Sequence, residues 1–390
     1  MAPPEIADLV VVNTCGFIDP AKEESIEALL VACAAAHSRG AEVAAIGCLV
    51  ERYRDELARE LPDVDVLCGF EIDPLLGKLR ELSGGGRAPQ APARRHRSLH
   101  TYLKVSDGCD RRCTFCAIPL IKGRYAITPP EDILALAESA LARGSREFVL
   151  VGQDVSRYDA PEYGGLPRLL ADLAALGPAW IRLLYLQPDG ITDELLAAIG
   201  RSAVHYLDLP LQHASASVLR RMRRGGDAES FLALLARVRA ALPGVALRST
   251  FITGFPGEDD VDFARLVEFV REARLSVAGV FPFDPQEGTP AASLGDQVPV
   301  DVREQRAARL AHVIEEAAAD YWSGLVGRRL EVLVERGCRG GRGEGVGRIA
   351  AQAPDVDGVT YVTGVGLRRG QLVTATVDGT VGFDLTARTD

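Results

Sequence analysis

Three cysteines stand within eight residues of one another, in the run Gly108-Cys109-Asp110-Arg111-Arg112-Cys113-Thr114-Phe115-Cys116. Three thiolates in one short loop can bind three of the four irons of a cubane iron–sulfur cluster. The fourth iron then stays open to a small molecule, and an iron that can bind an amine and a carboxylate is what the reductive cleavage of S-adenosylmethionine requires. A zinc site would usually need a fourth Cys or His in paired spacing, and three cysteines cannot pair off in disulfides. The spacing therefore predicts an iron–sulfur cluster on Cys109, Cys113 and Cys116.

Two further cysteines follow apolar runs near the N-terminus. The run from 9 to 12 leads to Cys15, and the run from 42 to 46 leads to Cys48, with a helical pattern over 21–37 between them. This alternation predicts two parallel strands of an α/β unit. Ligands gather at the carboxyl ends of such strands, so Cys15 and Cys48 are candidate metal ligands.

The other three cysteines carry weaker signals. Cys33 lies in an Ala-rich helical pattern, where a buried thiol is the ordinary interpretation. Cys68 follows a short strand-like run and could act as a stand-in ligand, whereas Cys338 lies in a Gly/Arg loop and is interpreted as incidental. The chain also begins almost inside a strand, so we expect that an opening strand and helix of the α/β unit are absent from it.

The middle of the chain repeats a strand–helix alternation that would position the cysteine loop after its first strand. Helical patterns such as Pro130–Ala142 and Asp260–Ala273 separate the strands. Six such units predict a parallel (β/α)6 partial barrel. The candidate strands are Tyr102–Val105, Phe148–Val151, Ile181–Leu186, Tyr206–Leu209, Ala246–Phe251 and Ala278–Phe281.

The chain is predicted to hold three domains, an N-terminal parallel α/β domain over 1–82, the barrel over 99–322 and a small β-barrel over 324–390. A long helical pattern precedes the last domain, whose β-like runs are Leu330–Glu335, Val359–Thr363 and Gln371–Val377. Residues 83–98 are rich in Gly, Pro, Ala and Arg and are predicted to be a linker. Its basic residues fit a solvated linker or an ionic contact with a partner.

Composition excludes several classes of protein. The 390 residues carry 44 Lys and Arg against 54 Asp and Glu, a net charge of −10, and 47% are hydrophobic. A disordered chain and a wholly cationic nucleic-acid binder are thereby excluded. No run reaches the roughly 18 apolar residues of a membrane helix and no signal peptide is present, so we expect a cytoplasmic protein without a membrane partner.

The cysteine loop resembles that of the radical S-adenosylmethionine (SAM) superfamily. The resemblance extends over essentially the whole chain to the methylthiotransferases, and within them it is greatest for the branch that modifies an aspartate of a ribosomal protein. The Gln212–Ser215 and Ala353–Val359 stretches distinguish that branch from the tRNA-modifying relatives. The matching stretches are Val11–Asp19, Gly47-Cys48-Leu49, Gln212-His213-Ala214-Ser215, Arg248–Ile252, Gly254–Glu258 and Ala353–Val359.

The resemblance implies two [4Fe-4S] clusters, S-adenosyl-L-methionine and a C-terminal domain of the TRAM type. The N-terminal cluster would be held by Cys15, Cys48 and a third cysteine upstream of Cys15, for which this chain has no room. Gly152 and Gln153 would bind the methionyl amine, although a tight turn would also want Gly152. Arg248 would hold the methionine carboxylate or the ribose, or form a structural ion pair, and Phe115 would pack on the adenine or in the core.

The implied reaction is radical chemistry on a protein. A 5′-deoxyadenosyl radical would take a hydrogen atom from the β-carbon of an aspartate in small-subunit ribosomal protein twelve, and a methylthio group would replace it. A low-potential electron donor such as a flavodoxin or ferredoxin would be a partner. The alternatives are a tRNA adenosine methylthiotransferase and a non-catalytic binding protein. Nine Arg and eight Asp and Glu in residues 324–390 leave 9 − 8 = +1, which disfavours RNA, as do Asp355 and Asp357.

Overall fold

The computed structural model describes residues 4–84, 98–338 and 342–389, which form two compact units. The N-terminal unit contains the described residues before 97 together with Asp110–Arg124 and Asp284–Ser293. The barrel unit contains the described residues of Arg97–Cys109, Tyr125–Phe283 and Leu294–Asp390. Most of the predicted linker over 83–98 lies outside the described residues.

The N-terminal unit is a three-stranded parallel sheet flanked by helices. Its elements are β1 (Leu9–Thr14), α1 (Asp19–His37), β2 (Glu42–Gly47), α2 (Cys48–Glu60), β3 (Val66–Cys68) and α3 (Asp73–Leu82). The strand order is β1-β2-β3, and Thr14 pairs with Gly47 in the register of the first two strands. Apolar side chains of α1, β2 and α2, such as Leu29, Val43 and Val50, pack into one core. The predicted parallel α/β unit is confirmed.

The barrel unit is built on a six-stranded parallel sheet in the order β11-β10-β9-β8-β7-β4. Its strands are β4 (His100–Lys104), β7 (Glu147–Val151), β8 (Trp180–Leu183), β9 (Tyr206–Asp208), β10 (Ala246–Thr253) and β11 (Val277–Pro282), and a two-residue pair joins β5 (Ser106–Asp107) to β6 (Ala126–Ile127). The helices are α4 (Ile118–Ile121, which belongs to the N-terminal unit), α5 (Pro130–Ala142), α6 (Gly165–Ala175), α7 (Asp193–Ser202), α8 (Ala216–Arg221), α9 (Ala228–Ala241), α10 (Asp260–Ala273) and α11 (Val300–Ser323). The predicted six-stranded parallel partial barrel is confirmed.

Five strands at the C-terminus close into a small barrel in the order β12-β13-β14-β16-β15. They are β12 (Arg329–Arg336), β13 (Arg342–Ile349), β14 (Thr360–Val365), β15 (Leu372–Val381) and β16 (Asp384–Arg388). The small β-barrel is confirmed, although the sequence patterns identified only three of its strands. Trp322 at the end of α11 packs on Phe383 of this barrel, and its indole N–H donates to the Ser276 carbonyl at 2.8 Å. Among the described residues, every helix is too short or too polar to span a bilayer.

A buried ion network joins the parallel sheet to the C-terminal barrel. Glu147 of β7 accepts from Arg182 of β8 at 2.8 Å and from Arg348 of β13 at 2.6 Å, and the side chains of Glu147 and Arg182 are fully buried. Burial alone would raise the pKa of Glu147, but the two guanidinium groups lower it. The carboxylate is therefore held charged between two cations that have lost contact with water.

Replacing this shared carboxylate is expected to destabilise the barrel unit. Glu147→Ala leaves the buried Arg182 guanidinium without its counter-ion and Arg348 with Glu335 alone. Breaking a buried pair in this way costs about 3–5 kcal/mol. We expect a clear fall in the midpoint of thermal unfolding, measured by circular dichroism. Glu344→Ala removes an exposed carboxylate from β13 and serves as the control, with no change expected. Equal midpoints for the two variants would contradict a structural role for the network.

Candidate functional site

Cys15 and Cys48 lie side by side at the carboxyl edge of the N-terminal sheet. Each follows directly on a residue of the Thr14–Gly47 pair, the last in the register of β1 and β2. Cys15 is exposed and Cys48, the first residue of α2, is half-buried. The structure thus brings these two predicted ligands together.

Two glycines allow the strand ends to approach so closely. Gly47 has φ +104° and ψ −160°, a region that essentially only glycine occupies. A Cβ at Gly47 would lie 2.6 Å from the Thr14 carbonyl oxygen, and one at Gly16 would lie 2.8 Å from Leu49 Cα. The backbone is therefore packed around the two thiols with no room for a side chain.

A Gly47→Ala substitution is expected to damage this edge. The backbone strain amounts to about 1–3 kcal/mol, and overpacking against Thr14 adds a similar cost. We expect a lower thermal midpoint and less iron bound after anaerobic reconstitution. The matched control is Gly77→Ala in α3, where a Cβ meets nothing within 4 Å and where alanine favours the helix. Unchanged iron and midpoint in Gly47→Ala would show that the tight approach is not needed.

The electrostatics of this edge centre on Cys48. Burial raises the pKa of the Cys48 thiol, the neighbouring Cys15 raises it further, and the Lys122 ammonium opposes both. Lys122 also lies 3.4 Å from the ring centroid of Phe70, which follows β3 at the same edge. A cation thus stands beside Cys48, which favours the binding of a group of net negative charge there.

The two remaining N-terminal cysteines are packed into the interior. The Cys33 thiol is buried and donates to the Asp63 carbonyl at 3.4 Å, and burial raises its pKa. Cys68 is fully buried among Ala44, Val66 and Leu75. The structure therefore places neither thiol at the sheet edge beside Cys15 and Cys48.

The three clustered cysteines follow the short strand β5. Cys109, Cys113 and Cys116 are all half-buried. In the N-terminal unit, the Cys116 amide donates to the Cys113 carbonyl at 3.2 Å, and the Thr114 carbonyl accepts from Ala291 at 2.8 Å. These bonds hold the stretch around Thr114 in a defined turn.

The donor set of this loop fits a cubane cluster. Over residues 4–84, 98–338 and 342–389, no three His, Cys, Asp or Glu side chains converge on the position of a single metal ion. A cubane cluster does not require three ligands to converge on one point, because each thiolate binds a different iron at a different corner. Three partly accessible sulfurs on one loop are therefore suited to an iron–sulfur cluster rather than to a lone ion.

Gly152 and Gln153 lie where β7 ends. A Cβ at Gly152 would overlap the Ser106 hydroxyl, so glycine is required here for close packing of β7 against β5. The Gln153 side-chain oxygen is shielded from solvent and accepts no hydrogen bond from the described residues. An acceptor without a donor is costly, and an amine at this position would satisfy it.

Arg248 lies in the third position of β10, level with Asp208 of β9 rather than at the strand end. Its guanidinium is 3.8 Å from the Asp208 carboxylate and 4.0 Å from that of Asp357 in the C-terminal barrel. Burial opposes its charge, but Asp208, Tyr206, Asp357 and Tyr185 together raise its pKa. The ion-pair alternative for Arg248 is thus present in the structure.

The position of Asp357 corrects one sequence argument. Its side chain is fully buried, accepts from the Tyr206 hydroxyl at 2.8 Å and from the Ala353 amide at 2.8 Å, and faces Arg248. The sequence counts Asp357 against RNA binding, but a carboxylate buried against Arg248 carries little of that argument. Asp355 remains exposed beside His100 and Tyr102.

Gln212 and His213 differ in what the structure shows of them: Gln212 has a strained backbone, and His213 is buried in the interior. Gln212 has φ +71° and bridges to Phe251 of β10. His213 is fully buried, its Nδ1 accepts from the Ser215 amide at 2.9 Å, and its Nε2 lies 3.4 Å from the Glu258 carboxylate. His213 is therefore an interior residue whose Nδ1 is hydrogen-bonded, whereas its Nε2 has no hydrogen-bond partner among the described residues. Phe115 is half-buried in the cysteine loop, which leaves both of its suggested roles open.

One feature of the strand ends was missed by sequence reasoning. The run Ile181–Leu186 was predicted as one strand, but β8 ends at Leu183 and Tyr185 takes φ +58°. An aromatic residue in this region is an outlier, and such strain clusters at functional sites. The apolar pattern Leu184-Tyr185-Leu186 concealed it, because it continues the strand.

Three sequence families match the chain in succession. Residues 1–69 match the uncharacterized protein family UPF0004, residues 103–270 match the radical SAM superfamily, and residues 326–389 match the TRAM domain. The radical SAM match runs from the end of β4 through most of α10, and the TRAM match covers the closed C-terminal barrel. Both agree with the predicted fold class.

Several proteins that share one name are similar to this chain over nearly its whole length. "Ribosomal protein uS12 methylthiotransferase RimO" of Anaeromyxobacter sp. (strain Fw109-5) is 41% identical over 98% of this chain and 85% of its own length. The protein of that name from Moorella thermoacetica is 42% identical over 95% of this chain and 88% of its own length. Among solved structures, the radical SAM methyltransferase TsrM from Kitasatospora setae, with cobalamin and a [4Fe-4S] cluster bound, has a TM-score of 0.52 at 14% identity. That match spans 73% of this chain and 65% of TsrM, and shows a shared fold.

Proposed function

We propose that this chain, which belongs to the family of ribosomal protein uS12 methylthiotransferases, replaces a hydrogen on the β-carbon of an aspartate of uS12 with a methylthio group. The observation that carries the proposal is an identity of about 40% to proteins of that name over nearly the whole of this chain. It is supported by three cysteines whose number and loop suit a SAM-cleaving cluster.

Each part of the chain has a proposed role. Residues 1–82 form the domain of a second cluster, 83–98 a linker, 99–322 the radical barrel and 324–390 the TRAM domain. We place the enzyme in the cytoplasm, with uS12 as substrate and a low-potential electron donor such as a flavodoxin or ferredoxin as partner.

Cys109, Cys113 and Cys116 would hold the [4Fe-4S] cluster that S-adenosylmethionine binds. When bound there, the cluster and S-adenosylmethionine would together supply a 5′-deoxyadenosyl radical able to take a hydrogen atom from an unactivated C–H bond. The chain's own task is to hold the reactants in place and to keep water away. The apolar interior of β4 and β7, with Leu103 and Leu150 fully buried, serves the second purpose.

Cofactor binding is proposed at the turn after β7. The Gln153 side-chain oxygen would accept from the methionyl amine, since no described residue donates to it. Gly152, which packs against Ser106, would present its backbone beside it. Arg248 would contact the ribose rather than the carboxylate, because Asp208 and Asp357 already balance its charge and would repel a third anion. Phe115 would pack on the adenine.

Cys15 and Cys48 would supply two of the three thiolates of the second [4Fe-4S] cluster at the N-terminal sheet edge. Both thiols stand at adjacent strand ends, with glycine backbone around them and the Lys122 ammonium beside Cys48. This cluster would carry the sulfur that is transferred. Cys33 and Cys68 are not assigned to it because both are packed in the interior.

A mass measurement tests the substrate. Anaerobically reconstituted protein is incubated with S-adenosylmethionine, a reductant and either uS12 or total tRNA. We expect uS12 to gain about 46 Da, the difference between a hydrogen and a methylthio group, on one aspartate. The same gain on tRNA alone would refute the proposal in favour of a tRNA-modifying enzyme, and no gain on either would favour a binding protein.

A further inference from the structure

Tyr185 is an exposed aromatic residue at the carboxyl edge of the parallel sheet, held in a strained conformation. It follows β8 by two residues, has φ +58° and keeps 47% of its surface exposed. Its neighbours Leu184 and Leu186 are both buried. The left-handed turn therefore presents one aromatic side chain to solvent in the middle of an apolar run.

Backbone contacts on both sides fix this conformation. The Tyr185 amide donates to the Asp208 carboxylate at 3.1 Å, and its carbonyl accepts from the Val155 amide at 3.2 Å. The Leu186 amide donates to the Asp208 carbonyl at 2.9 Å. The ends of β8, β9 and the turn after β7 thus hold Tyr185 in place, which is how a strained residue persists in a folded chain.

The polar groups near Tyr185 are arranged around Arg248. The Asp208 carboxylate that accepts from the Tyr185 amide also lies 3.8 Å from the Arg248 guanidinium, and Tyr185 is among the groups that raise the pKa of Arg248. Two carboxylates already stand around that guanidinium, at 3.8 and 4.0 Å. A carboxylate arriving from solvent would meet Asp208 and Asp357 as well as Arg248, so the cation is a poor receptor for it.

We propose that Tyr185 is a substrate-binding residue whose phenol donates a hydrogen bond to the side-chain carboxylate of the target aspartate. The inference rests on the proposed function and adds to it the group that positions the substrate. A phenol is an O–H donor without negative charge, and its rigid ring can pack along a peptide. Holding the carboxylate fixes the adjacent β-carbon, whose hydrogen is removed.

Tyr185→Phe isolates the hydroxyl because it keeps the ring. A hydrogen bond to a charged group corresponds to about 10- to 100-fold in affinity. We expect KM for uS12 to rise by about that factor, and more 5′-deoxyadenosine to form per modified uS12, because the β-carbon is no longer held. Tyr361→Phe on β14 makes the same change far along the chain and should leave both values as in the wild type.

Tyr185→Gly separates binding from folding. Glycine accepts φ +58° without strain, and a half-exposed ring loses little packing when it is removed. We expect an unchanged or higher thermal midpoint together with loss of uS12 binding in fluorescence anisotropy. A residue that only stabilised the fold would give the opposite result, a lower midpoint with binding retained.

The outcomes distinguish this inference from the proposed function. Wild-type enzyme that modifies uS12, with a Tyr185→Phe variant of equal KM and equal product ratio, would overturn the inference alone. Wild-type enzyme that neither binds nor modifies uS12 would overturn the proposed function and this inference with it. A raised KM in Tyr185→Phe with a stable Tyr185→Gly variant supports both.

Discussion

Alanine at Cys109, Cys113 and Cys116 together is expected to abolish the cleavage of S-adenosylmethionine, with 5′-deoxyadenosine falling by about a thousandfold or more. Each single replacement should be nearly as harmful as the triple replacement, because groups that act as one unit do not contribute additively. A cluster that lacks one thiolate of three is not held in the geometry that leaves one iron open. The measurement is 5′-deoxyadenosine by liquid chromatography of anaerobic, reduced samples.

Cys338→Ala is the matched control for these variants. Cys338 is also half-buried, but it lies next to the C-terminal barrel, far along the chain from the loop. We expect the control to keep the wild-type rate and iron content. Three graded, additive losses in the single variants would contradict a shared cluster and would point to separate roles for the thiols. Full activity in any of them would remove that cysteine from the site.

The sequence predicted the local part of the site and the regular part of the fold. Cys109, Cys113 and Cys116 are close in the chain, so their spacing alone carries their chemistry. The helices over Pro130–Ala142 and Asp260–Ala273 were predicted with the observed bounds, because apolar periodicity and flanking residues act over a few turns. Cys15 and Cys48 could be paired from strand ends once a parallel sheet was inferred.

One of the two missed strands, β13, has a clear physical cause. β13 reads Arg-Gly-Glu-Gly-Val-Gly-Arg-Ile, and its glycines suppress the usual strand pattern. A Cβ at Gly347 would overlap the Leu333 carbonyl oxygen and lie 2.8 Å from Val332. Closure of a five-stranded barrel thus depends on residues that argue against a strand when they are read alone.

Long-range pairing of charges could not be predicted either. Glu147 and Arg348 are 201 residues apart in the sequence, yet they share a buried hydrogen bond. A charged residue inside a strand pattern, such as Arg182, gives no indication of its partner. For Arg248, the sequence likewise left an ion pair and a cofactor contact open, because its partners are distant in the chain. Nor did the sequence predict that the segment Asp110–Arg124 packs within the N-terminal unit.

Alanine at both Cys15 and Cys48 is expected to separate the two halves of the reaction. The cysteines of the radical loop are untouched, so 5′-deoxyadenosine should still form at a rate within about threefold of the wild type, while methylthiolation of uS12 should be lost. In protein that carries both clusters, iron should fall from about eight to about four atoms per chain, since each cubane holds four. Colorimetric iron and sulfide assays and mass spectrometry of uS12 measure the two effects.

Cys68→Ala is the informative control for this pair. Cys68 lies on the neighbouring strand but is fully buried among apolar side chains, two positions before the level of Cys48 in the register of β2 and β3. We expect it to keep about eight irons and to transfer the methylthio group, with only a modest loss of stability from the small cavity. A fall to about four irons in Cys68→Ala would instead make that thiol a ligand of the second cluster. Loss of S-adenosylmethionine cleavage in the Cys15/Cys48 variant would show that the two sites do not work separately, because the radical loop would then depend on the N-terminal sheet edge.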